Sequence, residues 1–334
     1  MTKKRALIIG SNGQDGSYLA ELLIDKGYEV HGFERKMHAD TPNVPIIRHL
    51  GDLSDSNSII RALRESNPDE VYNLAAQSSV GASVMVPEYT GDITGLGVTR
   101  LLESLRQMGS QSRFFQASTS ELFGDASATP HNETTQFSPK NPYACAKAYG
   151  FDMTRNYRES YGMFAVNGIL YNHESPRRDE SYVTRKITLS LARILAGTQD
   201  CLALGNLEAQ RDWGYAKEFV EGMWLMMQQD TPDDFVLATG QRHSVREFLE
   251  YCLDSVGVKW TTSGTGSDET YKDVKGNVIV RIDPTFKRPT VPKEAVIGDA
   301  SKAKKVLAWQ AKTTLRELAK IMMDADMKKL GLGT

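Results

Sequence analysis

Through the amino-terminal part of the chain, short apolar runs alternate with amphipathic ones, and this alternation limits the fold more than any other feature. Runs of strand length cover 6–9, 28–33, 46–50, 71–74 and 113–117, while runs with helical periodicity cover 18–26, 58–64 and 97–106. A strand that gives way to a helix each time comes back parallel to its predecessor, so the pattern specifies βαβ units and an α/β fold with a doubly wound parallel sheet. The strands lack polar alternation because both faces of such a sheet lie under helices. Gly27 and Pro68 stand where the first two helices have to stop.

Further on the rhythm changes to longer helices, at 182–196, 215–229, 245–253 and 315–327. The stretch 261–276 is rich in Gly, Ser, Thr and charge and reads as a surface loop. The expected organisation is a Rossmann-type dinucleotide-binding domain over 1–173, with part of 211–240 returning to it. Residues 174–334 then form mainly a smaller substrate-binding lobe that closes over the carboxyl ends of the strands.

Charge excludes several function classes. The 40 basic and 42 acidic residues leave a net charge of −2, with a pI near 6.3, so no general affinity for nucleic acid or an anionic membrane is expected. No apolar run approaches the roughly 20 residues of a membrane helix. The start, MTKKR, runs directly into a strand and glycines, so no export signal is expected. Cys145, Cys201 and Cys252 show no CxxC spacing, which indicates neither a disulfide framework nor a metal site and fits the cytoplasm.

At the first strand-to-helix junction stands Gly10-Ser11-Asn12-Gly13-Gln14-Asp15-Gly16. Glycines there permit a tight turn and bring backbone N–H groups to a pyrophosphate at the positive end of a helix. The spacing is GxxGxxG without GK[ST], so a P-loop is excluded; a purely structural turn remains the competing reading. Glu34 and Arg35 end the second strand, about 20 residues on, where the adenosine ribose is read. The carboxylate favours the free hydroxyls of NAD and the guanidinium favours the 2′-phosphate of NADP, and both remain open.

Tyr143 and Lys147 lie four residues apart, on one helix face. A lysine ammonium close to a tyrosine hydroxyl favours the phenolate and so makes a general base near neutral pH. Such a pair also occurs on solvated helices. Thr119, Ser120 and Glu121 follow a strand end, where open α/β sheets bind ligands. Thr119 can bond the substrate hydroxyl that Tyr143 deprotonates. Glu121 can act as a second acid/base, against a capping or ion-pairing role. Cys145 reads as a packed thiol.

Together these motifs resemble the extended short-chain dehydrogenase/reductase superfamily. Longer blocks, including PDEVYNLAAQSSV, FFQASTSELFG, NGILYNHESPRR and LGNLEAQRDWGYAKEFVEGMWLM, resemble its GDP-mannose 4,6-dehydratase family over nearly the whole chain. The resemblance implies loss of water from a GDP-sugar, with Tyr143, Lys147 and Thr119 acting at C4 and Glu121 at C5 and C6. It further implies NADP contacts at Asp52, Leu53, Leu74, Ala75, Ala76, Gln77, Ser78, Tyr89, His173 and Arg178. Nucleotide-sugar contacts are implied at Ser78, Ser120, Asn172, Val183, Lys186, Gly205, Asn206, Arg211, Arg281 and Arg288, where cations suit a diphosphate. A homodimer or homotetramer is implied as well. The run Glu34-Arg35-Lys36-Met37-His38 departs from the family's RRSS-like pattern, which leaves NAD open, and Gly81-Ala82-Ser83 and Asp179 also differ. A GDP-heptose dehydratase, or a reductase or epimerase on the same scaffold, stays an alternative.

Overall fold

The computed structural model describes residues 3–36, 44–124, 126, 129–286 and 297–333. Six strands, β1 (Arg5–Ile9), β2 (Glu29–Glu34), β3 (Ile47–Leu50), β4 (Glu70–Asn73), β5 (Arg113–Ala117) and β6 (Ala165–Leu170), form one parallel sheet with a seventh, Phe235–Leu237. Their spatial order is Phe235–Leu237, β6, β5, β4, β1, β2, β3. The order reverses between β1 and β4, and a crevice opens there at the carboxyl ends.

Alternate residues of each strand feed opposite layers. Ala6 and Ile8 of β1 face helix α1 (Gln14–Asp25) and the helix Ala216–Met227, whereas Leu7 and Ile9 face the helices Ser56–Ser66 and Gly97–Gln107. Both layers are apolar, which is why the strands read as unbroken hydrophobic runs. The helix Pro142–Tyr161 is held at its far end by Arg158, whose guanidinium donates to both Asp234 oxygens at 2.8 and 2.9 Å.

A second core lies under the helices Val183–Leu195, Val245–Ser255 and Leu315–Lys329. There the stretch 261–276, expected as a loop, contributes strand at both 261–263 and 270–273. Trp260–Ser263 pairs antiparallel with Thr270–Asp273, which pairs with Val278–Ile282 and so reaches Leu202–Leu204. Tyr271 is fully buried, its ring 5.1 Å from that of Trp260, while the edge strand Trp260–Ser263 is mostly exposed. The polar composition belongs to that edge strand and to the connecting turns.

The chain passes repeatedly between the two bodies. Asn172–Glu174 pairs in parallel with Trp213–Tyr215, and Ala303, Leu307 and Trp309 return to the first core. Trp309 Nε1 donates to Glu218 O at 2.9 Å, which ties this late segment to the helix Ala216–Met227.

Candidate active site

The glycine turn is closed as the sequence suggests. Gly10 has φ +87°, and its N–H donates to Phe33 O at 2.9 Å. A β-carbon on Gly16 would sit 2.2 Å from Gly10 O, so only glycine lets α1 start this close to the turn. Gly13 caps α1 without any side-chain partner, which leaves first-turn N–H groups at the positive helix end to meet an anion. Asn12 lies on this turn, and Ala75 borders it, 3.2 Å from the vacant β-position of Gly10.

Several residues expected to touch a cofactor are occupied otherwise. The Gln14 amide donates to His173 O at 2.9 Å and accepts from Ser175 Oγ at 2.8 Å, tying the turn to the start of the second body. Gln77 accepts from Ser79 N and donates to Ser79 O and Thr90 Oγ1, so its amide is spent inside its own loop. Leu53 is a core side chain, and Asp52 Oδ1 accepts from Ser54 N and Oγ, which offers a ligand mainly the backbone there.

Asp15 and His173 form a buried pair at 2.9 Å, with His173 Nδ1 2.7 Å from Tyr171 O. Both ring partners accept, which favours the imidazolium. Burial opposes both charges, but each partner outweighs it, raising the His173 value and lowering that of Asp15.

At the end of β2, Glu34 Oε1 accepts from Ser11 Oγ at 2.6 Å and from Arg48 Nη1 at 2.5 Å. Its buried Oε2 has no hydrogen-bond partner among the described residues, nor does Ser118 Oγ. The exposed Arg35 donates to Tyr89 OH at 2.5 Å. Met37 and His38 lie outside the described residues. A glycine cradle, an open helix end and unpartnered buried oxygens fit a dinucleotide.

A cavity of about 900 Å³ fills the crevice and brings together Thr119, Ser120 and Glu121 from the end of β5 with Tyr143 and Lys147. Leu74, Ala76, Ser78, Asp15, His173 and Arg178 also line it. Thr119 stands beside the Tyr143 hydroxyl, where it favours the phenolate against burial, and accepts from Glu121 N at 3.2 Å. The expectation that Lys147 favours a phenolate is corrected here. Lys147 Nζ donates to Ala117 O at 2.7 Å and lies 5.8 Å from the Tyr143 ring centroid. Burial therefore prevails over any stabilising charge: it pushes the Tyr143 phenol up and brings Lys147 down to about 8, with Asp15 opposing the latter.

Glu121 does not cap a helix. Its Oε2 accepts from Asn141 Nδ2 at 3.1 Å, and Asn141 is itself the cap of the helix Pro142–Tyr161 through Ala144 N at 2.8 Å. Reasoning from sequence missed Asn141, although an Asn directly before a Pro at the first helical position is a cap signature. Arg48 was missed too and carries no such signal.

The cavity continues beneath the second body. Asn172, Val183, Lys186, Gly205, Asn206 and Arg211 line it, and the helix Val183–Leu195 starts there without a side-chain cap. Lys186 Nζ sits 3.5 Å from the Phe286 ring centroid, and burial lowers its value. A β-carbon on Gly205 would come within 2.9 Å of Phe286 O, so the glycine permits that approach. Tyr182, also missed, bonds Ser78 across the crevice at 3.2 Å (to O) and 3.3 Å (to Oγ) and stacks under Arg178 at 3.7 Å.

Arg281 does not join this group. It is not among the residues that line the cavity, stands 53% exposed on Val278–Ile282 and pairs with Asp283 at 3.3 Å. Arg288 lies outside the described residues. Among the described residues, no cluster of three or more His, Cys, Asp or Glu side chains could hold a metal, and no helix is long and apolar enough to cross a membrane.

A family model described as GDP-mannose 4,6 dehydratase matches residues 7–322. The chain is 49% identical to a GDP-mannose 4,6-dehydratase of Vibrio cholerae, over 98% of this chain and 94% of that protein. It is 48% identical to one of Drosophila melanogaster, over 97% and 86%. Among solved structures, a UDP-glucose 4-epimerase of Thermotoga maritima with UDP-glucose superposes with a TM-score of 0.84 at 24% identity, covering 98% of this chain and 99% of that one. A Thermus thermophilus UDP-glucose 4-epimerase in complex with NAD gives 0.82 at 25% identity, covering 96% and 98%. With the sheet, the glycine turn and the Thr-Glu-Tyr-Lys cavity already in place, these matches establish that the chain belongs to the GDP-mannose 4,6-dehydratase family.

Proposed function

We propose that this protein converts GDP-D-mannose to GDP-4-keto-6-deoxy-D-mannose, releasing one water with no net oxidation. The observation that carries the reading is Glu121, a carboxylate in the same cavity as Tyr143 and Lys147, which a simple alcohol dehydrogenase does not need. Thr119 and Tyr143 engage the C4 hydroxyl, and Tyr143 receives its proton. Glu121 takes the C5 proton and gives one to the C6 hydroxyl as it departs as water, and the proton held on Tyr143 is returned to C5, so that both side chains end as they began. Lys186, Arg211 and the open start of Val183–Leu195 suit the diphosphate.

A nicotinamide dinucleotide belongs to this reading, held by residues 10–16, Glu34, Ser118 and Lys147. When bound, it supplies a hydride acceptor that later becomes the donor, and a positive ring that favours the Tyr143 phenolate. We favour NADP, because Arg48 neutralises Glu34 and Arg35 then stands beside Tyr89 with its positive charge available to a 2′-phosphate. Residues 1–173, with part of 211–240, serve the dinucleotide, and 174–334 mainly serve the nucleotide sugar.

A homodimer, or a homotetramer built from it, is supported by Leu96 and Tyr149, exposed at 46% and 41% on the helices flanking Gly97 and Tyr143. Three unpaired cysteines support a cytoplasmic site. Gly81 favours a second substrate reading, a GDP-heptose: it lines the cavity, and a β-carbon there would meet nothing closer than Ser79 Oγ at 4.0 Å.

The test incubates the purified protein, its co-purified cofactor identified by mass and its assembly by sedimentation, with GDP-mannose and separately with GDP-D-glycero-D-manno-heptose. Water loss from GDP-mannose without net cofactor reduction is expected, falling at least a hundredfold in Glu121→Gln, as acid–base catalysis contributes about 10²–10⁴. Loss from the heptose alone moves the specificity. If neither loses water, a reductase or epimerase replaces this reading.

A further inference from the structure

Glu121 and Tyr143 come from different elements, and one side chain touches the machinery of both. Asn141 Oδ1 accepts from Ala144 N at 2.8 Å, which fixes the amide orientation, since only the oxygen can face a backbone N–H. The NH₂ group is thereby turned away from the helix, and it donates to Glu121 Oε2 at 3.1 Å. Pro142 follows at the first helical position, where its missing N–H costs nothing, and Tyr143 comes next. The triplet Asn-Pro-Tyr therefore sets the phase of the Tyr143 helix and grips the carboxylate in one short piece of chain.

We propose that Asn141 is the positioning residue of the dehydration step: its amide fixes Glu121 with Oε2 engaged, leaving Oε1 to work at C5 and C6. Alanine-like truncation would confuse this role with loss of the cap, but serine and aspartate cap helices about as well as asparagine; aspartate has no donor, and serine, one atom shorter, lacks the NH₂ that reaches Oε2. Tyr143, whose phenol feels the Glu121 charge, lines the same cavity, as do Lys147, Arg178 and Tyr182. None of these replaces a donor on Oε2.

The inference rests on the dehydratase reading, so the experiment tests both separately, on the holoenzyme with GDP-mannose. Asn141→Ser is expected to melt like the parent and keep its KM within about twofold, while kcat for water loss falls about tenfold to hundredfold, the weight of a hydrogen bond to a charged group. Reduced nicotinamide should accumulate, because oxidation at C4 then outruns elimination. Asn141→Asp, which keeps the cap but sets a second acceptor against Oε2, is expected to lower kcat at least as far, again with KM within about twofold. Parental kcat in both variants, with Glu121→Gln inactive, would show that Asn141 only caps the helix and overturn the inference. Full water loss in Glu121→Gln overturns the inference together with the reaction it serves.

Discussion

A lysine four residues beyond a tyrosine reads as an ammonium resting on a phenol, but packing decides otherwise. Lys147 donates a hydrogen bond to Ala117 O, and burial brings its value from 10.5 down to about 8. Between those values the folded chain binds fewer protons than the unfolded one, so stability rises with pH in that window. Activity runs the other way: kcat of the holoenzyme is expected to decline above about pH 8 as the ammonium discharges. Lys147→Arg, which keeps its charge throughout, should lose that decline even at lower kcat, and a kcat–pH profile of the two proteins checks it. Thr119, Glu121, Tyr143 and Lys147 were legible in the sequence because strand end and helical spacing are local properties. Arg48, Tyr182 and Phe286 were not, because only tertiary contacts bring them to Glu34, Ser78 and Lys186. Arg281 shows the converse limit, since a charge in a sequence carries no direction.

At the scale of elements, the first strand, its glycine turn and α1 form a unit that tolerates almost no added volume. Gly16→Ala would place a methyl 2.2 Å from Gly10 O and 2.7 Å from Ser11 Cα, both backbone atoms that cannot rotate away. We expect a loss of about 1–3 kcal/mol, the usual cost of overpacking, seen as a lower denaturant midpoint. Cofactor affinity should fall further than stability, because the same shift moves the open N–H groups of α1. The parallel strands were readable since burial on both faces leaves an unmixed apolar run. Trp260–Ser263 was not, because an edge strand with little burial shares its composition with a loop. Phe235–Leu237 is only three residues long, too short for any period to show.

Across the whole molecule, Tyr182 reaches over the crevice to Ser78, 104 positions away in the chain. Tyr182→Phe removes its bonds to Ser78 while keeping the ring under Arg178. Loss of these exposed bonds, each worth about 0.5–1.5 kcal/mol at most, should raise KM for the GDP-sugar about twofold to tenfold and lower the thermal midpoint only slightly, as titration and calorimetry can show. The return of Trp309 to the first core carries a consequence for how the molecule is made. A nascent chain stopped after β6 still lacks its seventh strand and the helix that packs on α1, and its sheet ends in a bare edge open to other chains. Synthesis has to pass Trp309 before the layer begun by the first strand is closed, so the first core stays open until that late segment has been made.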